Sequence, residues 1–107
     1  PERAHRVMPT LRVIIPFHLA TLARSERELS LDVEAPVTIG RLIEALEQAH
    51  PALRGTVRQH GTDQRRPLVR FYACGEDLSH EPWLTILPEP VLDGREPFVI
   101  LGAIAGG

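Results

Sequence analysis

Hydrophobic and polar positions alternate at the start of this chain, switch to a helical period, and return to alternation near its end. Leu11, Val13, Ile15 and Phe17 recur at every second residue, the spacing that puts side chains on one face of a strand. They predict a first strand over residues 10–19. Arg12, Ile14, Pro16 and His18 then share the other face, where Pro16 suits an edge or a strand end because it has no N–H. Residues 20–26 read as a loop with room for a helical turn. Leu29, Leu31 and Val33 alternate with Glu28, Ser30, Asp32 and Glu34, a half-buried strand with a charged outer face. The two strands are expected to form an antiparallel hairpin.

The period changes after Thr38. Ile39, Leu42, Ile43, Leu46 and Ala49 follow helical spacing, with Arg41, Glu44, Glu47 and Gln48 outside. Thr38 is the expected N-cap. Gly40 weakens the first turn by about 1 kcal/mol relative to alanine. Pro51 disfavours helical geometry at His50, so the helix should end there, with Leu53 packed beneath it. Residues 54–67 read as a polar, solvated connector, long enough to be mobile or to meet a partner. Alternation returns at residues 68–74, with Val69, Phe71 and Ala73 inward and Arg70 and Tyr72 outward. Gly75, Glu76 and Asp77 mark a turn. Residues 79–90 contain Pro82, Pro88 and Pro90 and read as an irregular crossing anchored by Trp83, Leu84, Ile86 and Leu87. Asp93–Gly94 is a turn signal, and residues 98–101 are an uninterrupted apolar strand. One helix with a single apolar stripe should cover one face of a small mixed sheet of four to five strands, an α+β two-layer fold.

The 107 residues suit one domain, and 43% apolar with 24% charged residues is ordinary globular composition. A formal charge of −2 gives no electrostatic case for nucleic acid. No stretch approaches the roughly 20 apolar residues of a membrane span. Arg12, Pro16 and His18 interrupt the only apolar run that could serve as a signal peptide. Residues 1–9 read as an extension or tag remnant outside the fold, with Met8 a natural start. All 12 basic residues are arginine, so the chain carries no side-chain amine for isopeptide or Schiff-base chemistry.

Catalytic signals are absent from the sequence. His5, His18, His50, His60 and His80 lack metal-ligand spacing, and no glycine-rich phosphate loop precedes a helix. Cys74, the single cysteine, excludes an intrachain disulfide. At a strand end before a glycine turn it reads as a structural or idle cysteine rather than a nucleophile, since free cysteines are among the most buried residues. Glu76 and Asp77 read as solvated turn carboxylates. The expectation is therefore neither an enzyme nor a metal protein.

The informative segment is the last one. After the final strand the chain continues Gly102, Ala103, Ile104, Ala105, Gly106, Gly107. Six residues reach roughly 20 Å when extended, and the last two can thread a narrow channel because they lack Cβ. Such a tail, expected to be extended or poorly ordered when free, could present a carboxylate to another protein's active site; the bland reading is a frayed terminus. Strand parity adds a docking surface. Ile14 and Pro16 should share the outer face of the first strand, and Val99 and Leu101 should point outward near the tail root, together an exposed apolar patch.

These pieces, in this order, resemble the small sulfur-carrier proteins of the ubiquitin-like β-grasp superfamily. That group includes the small subunit of molybdopterin synthase, the thiamine sulfur carrier and the cysteine-synthesis sulfur carrier of actinobacteria. The resemblance spans residues 10–107. It rests on the first strand, on Thr38, Ile39, Gly40, Arg41 and Leu42 opening the helix, and on His50 and Pro51 closing it. It rests also on Phe71, Tyr72, Ala73, Cys74, Gly75, Glu76 and Asp77, on Asp93–Gly94, and on Gly106–Gly107. It implies a β-grasp domain over residues 10–101, a tail over 102–107, and a cytoplasmic protein. It also implies that a partner activating enzyme spends ATP to adenylate the carboxylate of Gly107. A sulfur donor then leaves a thiocarboxylate, which is passed to a sulfur-accepting biosynthetic enzyme. The carrier itself would hold no permanent cofactor. Where many molybdopterin-type carriers have two prolines before the tail, this chain has Gly102 and Ala103, closer to the cysteine-synthesis type. The receiving pathway stays open, as do two other readings: a ubiquitin-like modifier joined to target lysines, and a β-grasp interaction module that is never activated.

Overall fold

The structure, a computed structural model, describes residues 8–59 and 61–102. Both early alternations become strands, β1 over Thr10–Ile14 and β2 over Glu28–Asp32. They pair antiparallel with Leu11 opposite Leu31 and Val13 opposite Leu29, so the two aliphatic rows fall on one face and are buried together. The later strands are β3 over Val69–Ala73, β4 over Glu76–Asp77 and β5 over Phe98–Gly102. The sheet order is β2-β1-β5-β3-β4, with β1 and β5 parallel and the other neighbours antiparallel. The last strand thus lies at the centre, paired with the first.

Among the described residues three α-helices accompany the sheet: α1 over Phe17–Ala23, α2 over Ile39–Ala49 and the short α3 over Glu89–Leu92. The expected cap forms on α2, where Thr38 Oγ1 accepts from the Arg41 amide at 3.1 Å. Leu42, Ile43 and Leu46 on its apolar stripe are wholly buried. The helix stops at His50, and Pro51–Leu53 continues as a single 3-10 turn that buries Leu53. The inner face of the sheet contributes Phe71 and Phe98, whose rings lie 5.4 Å apart at a tilt, and Trp83 meets Phe71 edge-on at 5.9 Å. The resulting core is one cluster running from Leu11 to Ile100.

Several expectations are corrected. The first strand ends at Ile14, five residues earlier than the alternation suggests. Pro16 instead stands at the N-terminus of α1, its carbonyl accepting from the Leu19 and Ala20 amides at 3.0 Å each. Phe17, read as a core position, is therefore on a helix and 73% exposed. On α2, Ala49 is exposed and Glu47 is buried. Glu47 is covered by the 54–67 segment, which is largely exposed yet is not wholly a solvated connector. Val57 is fully buried there, residues 58 and 65 form an isolated bridge, and Arg58 clasps Glu47 with contacts of 2.7 and 3.1 Å. Of the four expected anchors in the 79–90 crossing, Leu87 is buried and Trp83 partly so; Leu84 is 84% exposed and Ile86 is also exposed. The crossing is held chiefly through its backbone, with Trp83 and Thr85 carbonyls accepting from the Gly40 and Ile39 amides. Cys74 is exposed rather than buried, at a left-handed position (φ 53°) of the β3–β4 turn. Asp77 is no idle turn acid: it accepts from the Ser79 amide at 2.8 Å and pairs with Arg70.

Candidate functional site

Of the tail, only Gly102 is described; it is the last residue of β5, paired with Val69. Ala103 and the sequence-predicted Ile104, Ala105, Gly106 and Gly107 lie outside the described residues, as do residues 1–7 and His60. The site is therefore the surface from which the terminal segment departs.

Three of the four docking candidates share that surface. Ile14 and Val99 are register partners across β1 and β5. Val99 also faces Tyr72, and Leu101 faces Arg70, across β5 and β3. Because Phe98 and Ile100 point into the core, Val99 and Leu101 stand on the outer face. Ile14, Val99 and Tyr72 are half-buried, and Leu101 is 42% exposed. They form an apolar row across the middle of the sheet with an ion pair at each flank. On one side Arg12 Nε donates to Glu28 Oε2 at 3.0 Å; on the other Arg70 pairs with Asp77. The pairing with Arg12 holds the Glu28 carboxyl below its ordinary range. The hydroxyl and amide of Ser79, and then Arg70, hold the Asp77 carboxyl far below its own.

Pro16, the fourth candidate, is not on that face. The chain leaves the sheet after Ile14, the Ile15 amide donates to the Arg27 carbonyl at 2.8 Å, and Pro16 is buried. It packs at the root of the tail instead. A Cβ at Gly102 would lie 3.7 Å from Pro16 Cγ and 3.5 Å from His18 Cε1. These residues wall a groove of about 370 Å³ whose other side is formed by Thr56, Arg66, Leu68 and Leu101. Alternation through Phe17 hid this groove from sequence reasoning, which also missed Arg66, Leu68 and His18 as site residues. The available signal was Pro16 itself. Proline at a helix start is favoured, and Leu19, Ala20 and Ala23 behind it follow helical spacing.

Among the described residues, no group of three or more His, Cys, Asp or Glu is placed to hold a metal ion. No described helix is long and apolar enough to cross a membrane.

No protein-family model matches the sequence, and no curated protein matches it significantly. Solved structures do match. The crystal structure of SAMP1 from Haloferax volcanii superposes with a TM-score of 0.69 at 22% identity, covering 92% of this chain and 99% of that one. The chain has the ubiquitin-like β-grasp fold. Two further solved structures match. CysO from Mycobacterium tuberculosis, described as an antigen, gives a TM-score of 0.66 at 21% identity over 87% of this chain and 98% of that one. The BexX/CysO complex from Amycolatopsis orientalis gives 0.68 at 20% identity over 90% and 98%. In this β-grasp domain β5 runs beside the apolar row and ends at Gly102, paired there with Val69 of β3.

Proposed function

We propose that the chain is a sulfur-carrier protein. A partner enzyme adenylates the carboxylate of Gly107: a carboxylate oxygen attacks the α-phosphorus of ATP and pyrophosphate leaves. A donor at the sulfide level then attacks the acyl carbon and AMP leaves, giving a thiocarboxylate that a biosynthetic enzyme consumes. A carboxylate is a poor electrophile, so the reaction needs the adenylate leaving group; the carrier supplies position rather than an acid or base. Ile14, Val99 and Leu101 form the docking face, and residues 104–107 enter the partner.

One observation carries the reading. The strand leading into the Gly-Gly end is the central one, anchored on both sides, and its exit lies beside an apolar face and a groove. A partner can hold the domain by that face while the terminal residues reach its active site. The names of the structural matches, a modifier protein and CysO, fit the same architecture.

The test uses the cognate activating enzyme, ATP and a sulfur source. The intact mass should rise by the difference between one sulfur and one oxygen, and the product should react with alkylating agents even in Cys74→Ala. Deleting Gly107 should abolish the change. The same spectrum checks that Gly107 is the carboxyl end of the mature chain. Modification that follows Cys74, or survives loss of Gly107, would sink the reading. A second reading, a modifier joined to target lysines, is favoured by the name of small archaeal modifier protein 1 from Methanosarcina acetivorans, which matches at TM-score 0.69 and 20% identity. Stable lysine adducts in place of a thiocarboxylate would select it.

A further inference from the structure

The groove at the tail root has a chemistry that the apolar row on the sheet lacks. Two ionisable side chains line it, His18 and Arg66, and no carboxylate does, in a chain whose formal charge is −2. Most described arginines of this protein are engaged: Arg12, Arg58, Arg70 and Arg95 in ion pairs, and Arg27, Arg41 and Arg65 on backbone carbonyls. Arg66 is exposed, and neither its guanidinium nor His18 forms an ion pair among the described residues. Between them the wall is aliphatic, with Pro16 buried at the base and Leu68 and Leu101 exposed at the rim. At about 370 Å³ the volume sits at the small end of the roughly 300–1,000 Å³ of ligand pockets, the scale of one or two side chains rather than of a cofactor.

We infer that this groove receives a short segment of the activating enzyme in which an aliphatic side chain stands next to a carboxylate. The aliphatic group fills the space over Pro16 between Leu68 and Leu101, and the carboxylate lies between His18 and Arg66. Charge complementarity selects an acidic segment over a basic one. Position selects the protein that handles the tail, because Gly102, the root of that tail, itself lines the groove. The inference rests on the carrier reading for the partner's identity, but not for the groove's preference.

Two measurements separate the two. In steady-state adenylation with the cognate enzyme, Arg66→Glu and His18→Glu should each raise KM for the carrier about tenfold or more while kcat stays within about twofold. Arg54→Glu changes net charge as much as Arg66→Glu does but lies outside the groove, and should leave both unchanged. Independently, amide NMR of the full chain is followed while a capped Leu-Glu-Leu-Glu peptide is added. Saturable shifts should centre on His18, Leu68 and Leu101, and should vanish when the peptide's Glu residues are replaced by Gln. Wild-type protein that is not adenylated sinks the carrier reading, and the peptide titration still decides the groove. Unchanged KM in Arg66→Glu, shifts elsewhere, or equal shifts with the Gln peptide overturn the groove inference. Tighter peptide binding after deletion of residues 103–107 would also overturn it, by making the chain's own terminal segment the occupant.

Discussion

Glu47 and Arg58 show how a single pair can decide what a segment is. Glu47 sits on the outer side of α2 by helical spacing, yet only 7% of it is exposed, because Arg58 folds over it from the following segment. A glutamate at that depth needs its partner: removing one member of a buried pair strands the other's charge, at about 3–5 kcal/mol when burial is complete. Arg58 still has an open edge and a second contact to exposed Asp63, so Arg58→Ala should cost about 2 kcal/mol in urea denaturation. Arg12→Ala, which breaks a water-exposed pair, should leave the midpoint essentially unmoved. Asp77 makes the same point through pH. Its carboxylate accepts from Ser79 and pairs with Arg70, so the folded state takes up its proton less readily than the unfolded chain does. That contribution is complete above the unfolded range, near pH ~3.9, and is lost progressively as pH falls below it. Thermal melts from pH 7 to 3 should show an acid loss that is shallower in Asp77→Asn, which starts lower at pH 7 and keeps no carboxylate there to protonate.

At the scale of elements, legibility followed periodicity. α2 and β2 were legible because each buries one face against one neighbour, and the spacing of Leu42, Ile43 and Leu46, or of Leu29 and Leu31, reports that directly. α1 was hidden because two alternating residues beyond Ile14 mimic a strand, while the event that ends the strand is a backbone one at Pro16. The 54–67 segment was hidden for a different reason: its order comes from buried Val57, the ion pairs of Arg58 and a backbone bridge between residues 58 and 65, which leave no period. The row formed by Ile14, Val99 and Leu101 was legible from parity alone, whereas the groove depends on where α1 turns back and so was not. Gly40 illustrates the gap between local and tertiary cost. Read in the helix alone, Gly40→Ala should stabilise by about 1 kcal/mol. In the fold, the new Cβ would meet the Trp83 carbonyl oxygen at 3.3 Å, an atom already held by the Gly40 amide. The variant should therefore show no gain in melting temperature, or a loss, with Trp83 fluorescence reporting the displaced crossing.

At the scale of the whole molecule, the two faces of β5 have separate duties. Ile100 is fully buried, and Leu101 beside it is 42% exposed and faces Arg70. Leu101→Asp should keep its melting temperature and its circular dichroism, since the new carboxylate falls next to a guanidinium and water, while binding to the activating enzyme proposed above weakens. Ile100→Asp, by placing an unpaired charge in the core, should fail to fold. Equal loss of fold in both would show that Leu101 serves the core. The parallel pairing of β1 with β5 has a mechanical side as well. A pull between the entry to β1 and the exit of β5 drags two adjacent strands past each other along their length. The hydrogen bonds joining them then share the load and must yield together instead of opening in sequence. Tension applied at the tail, in a pulling experiment or inside a machine that grips it, should meet a stiff domain that gives way at high force and all at once.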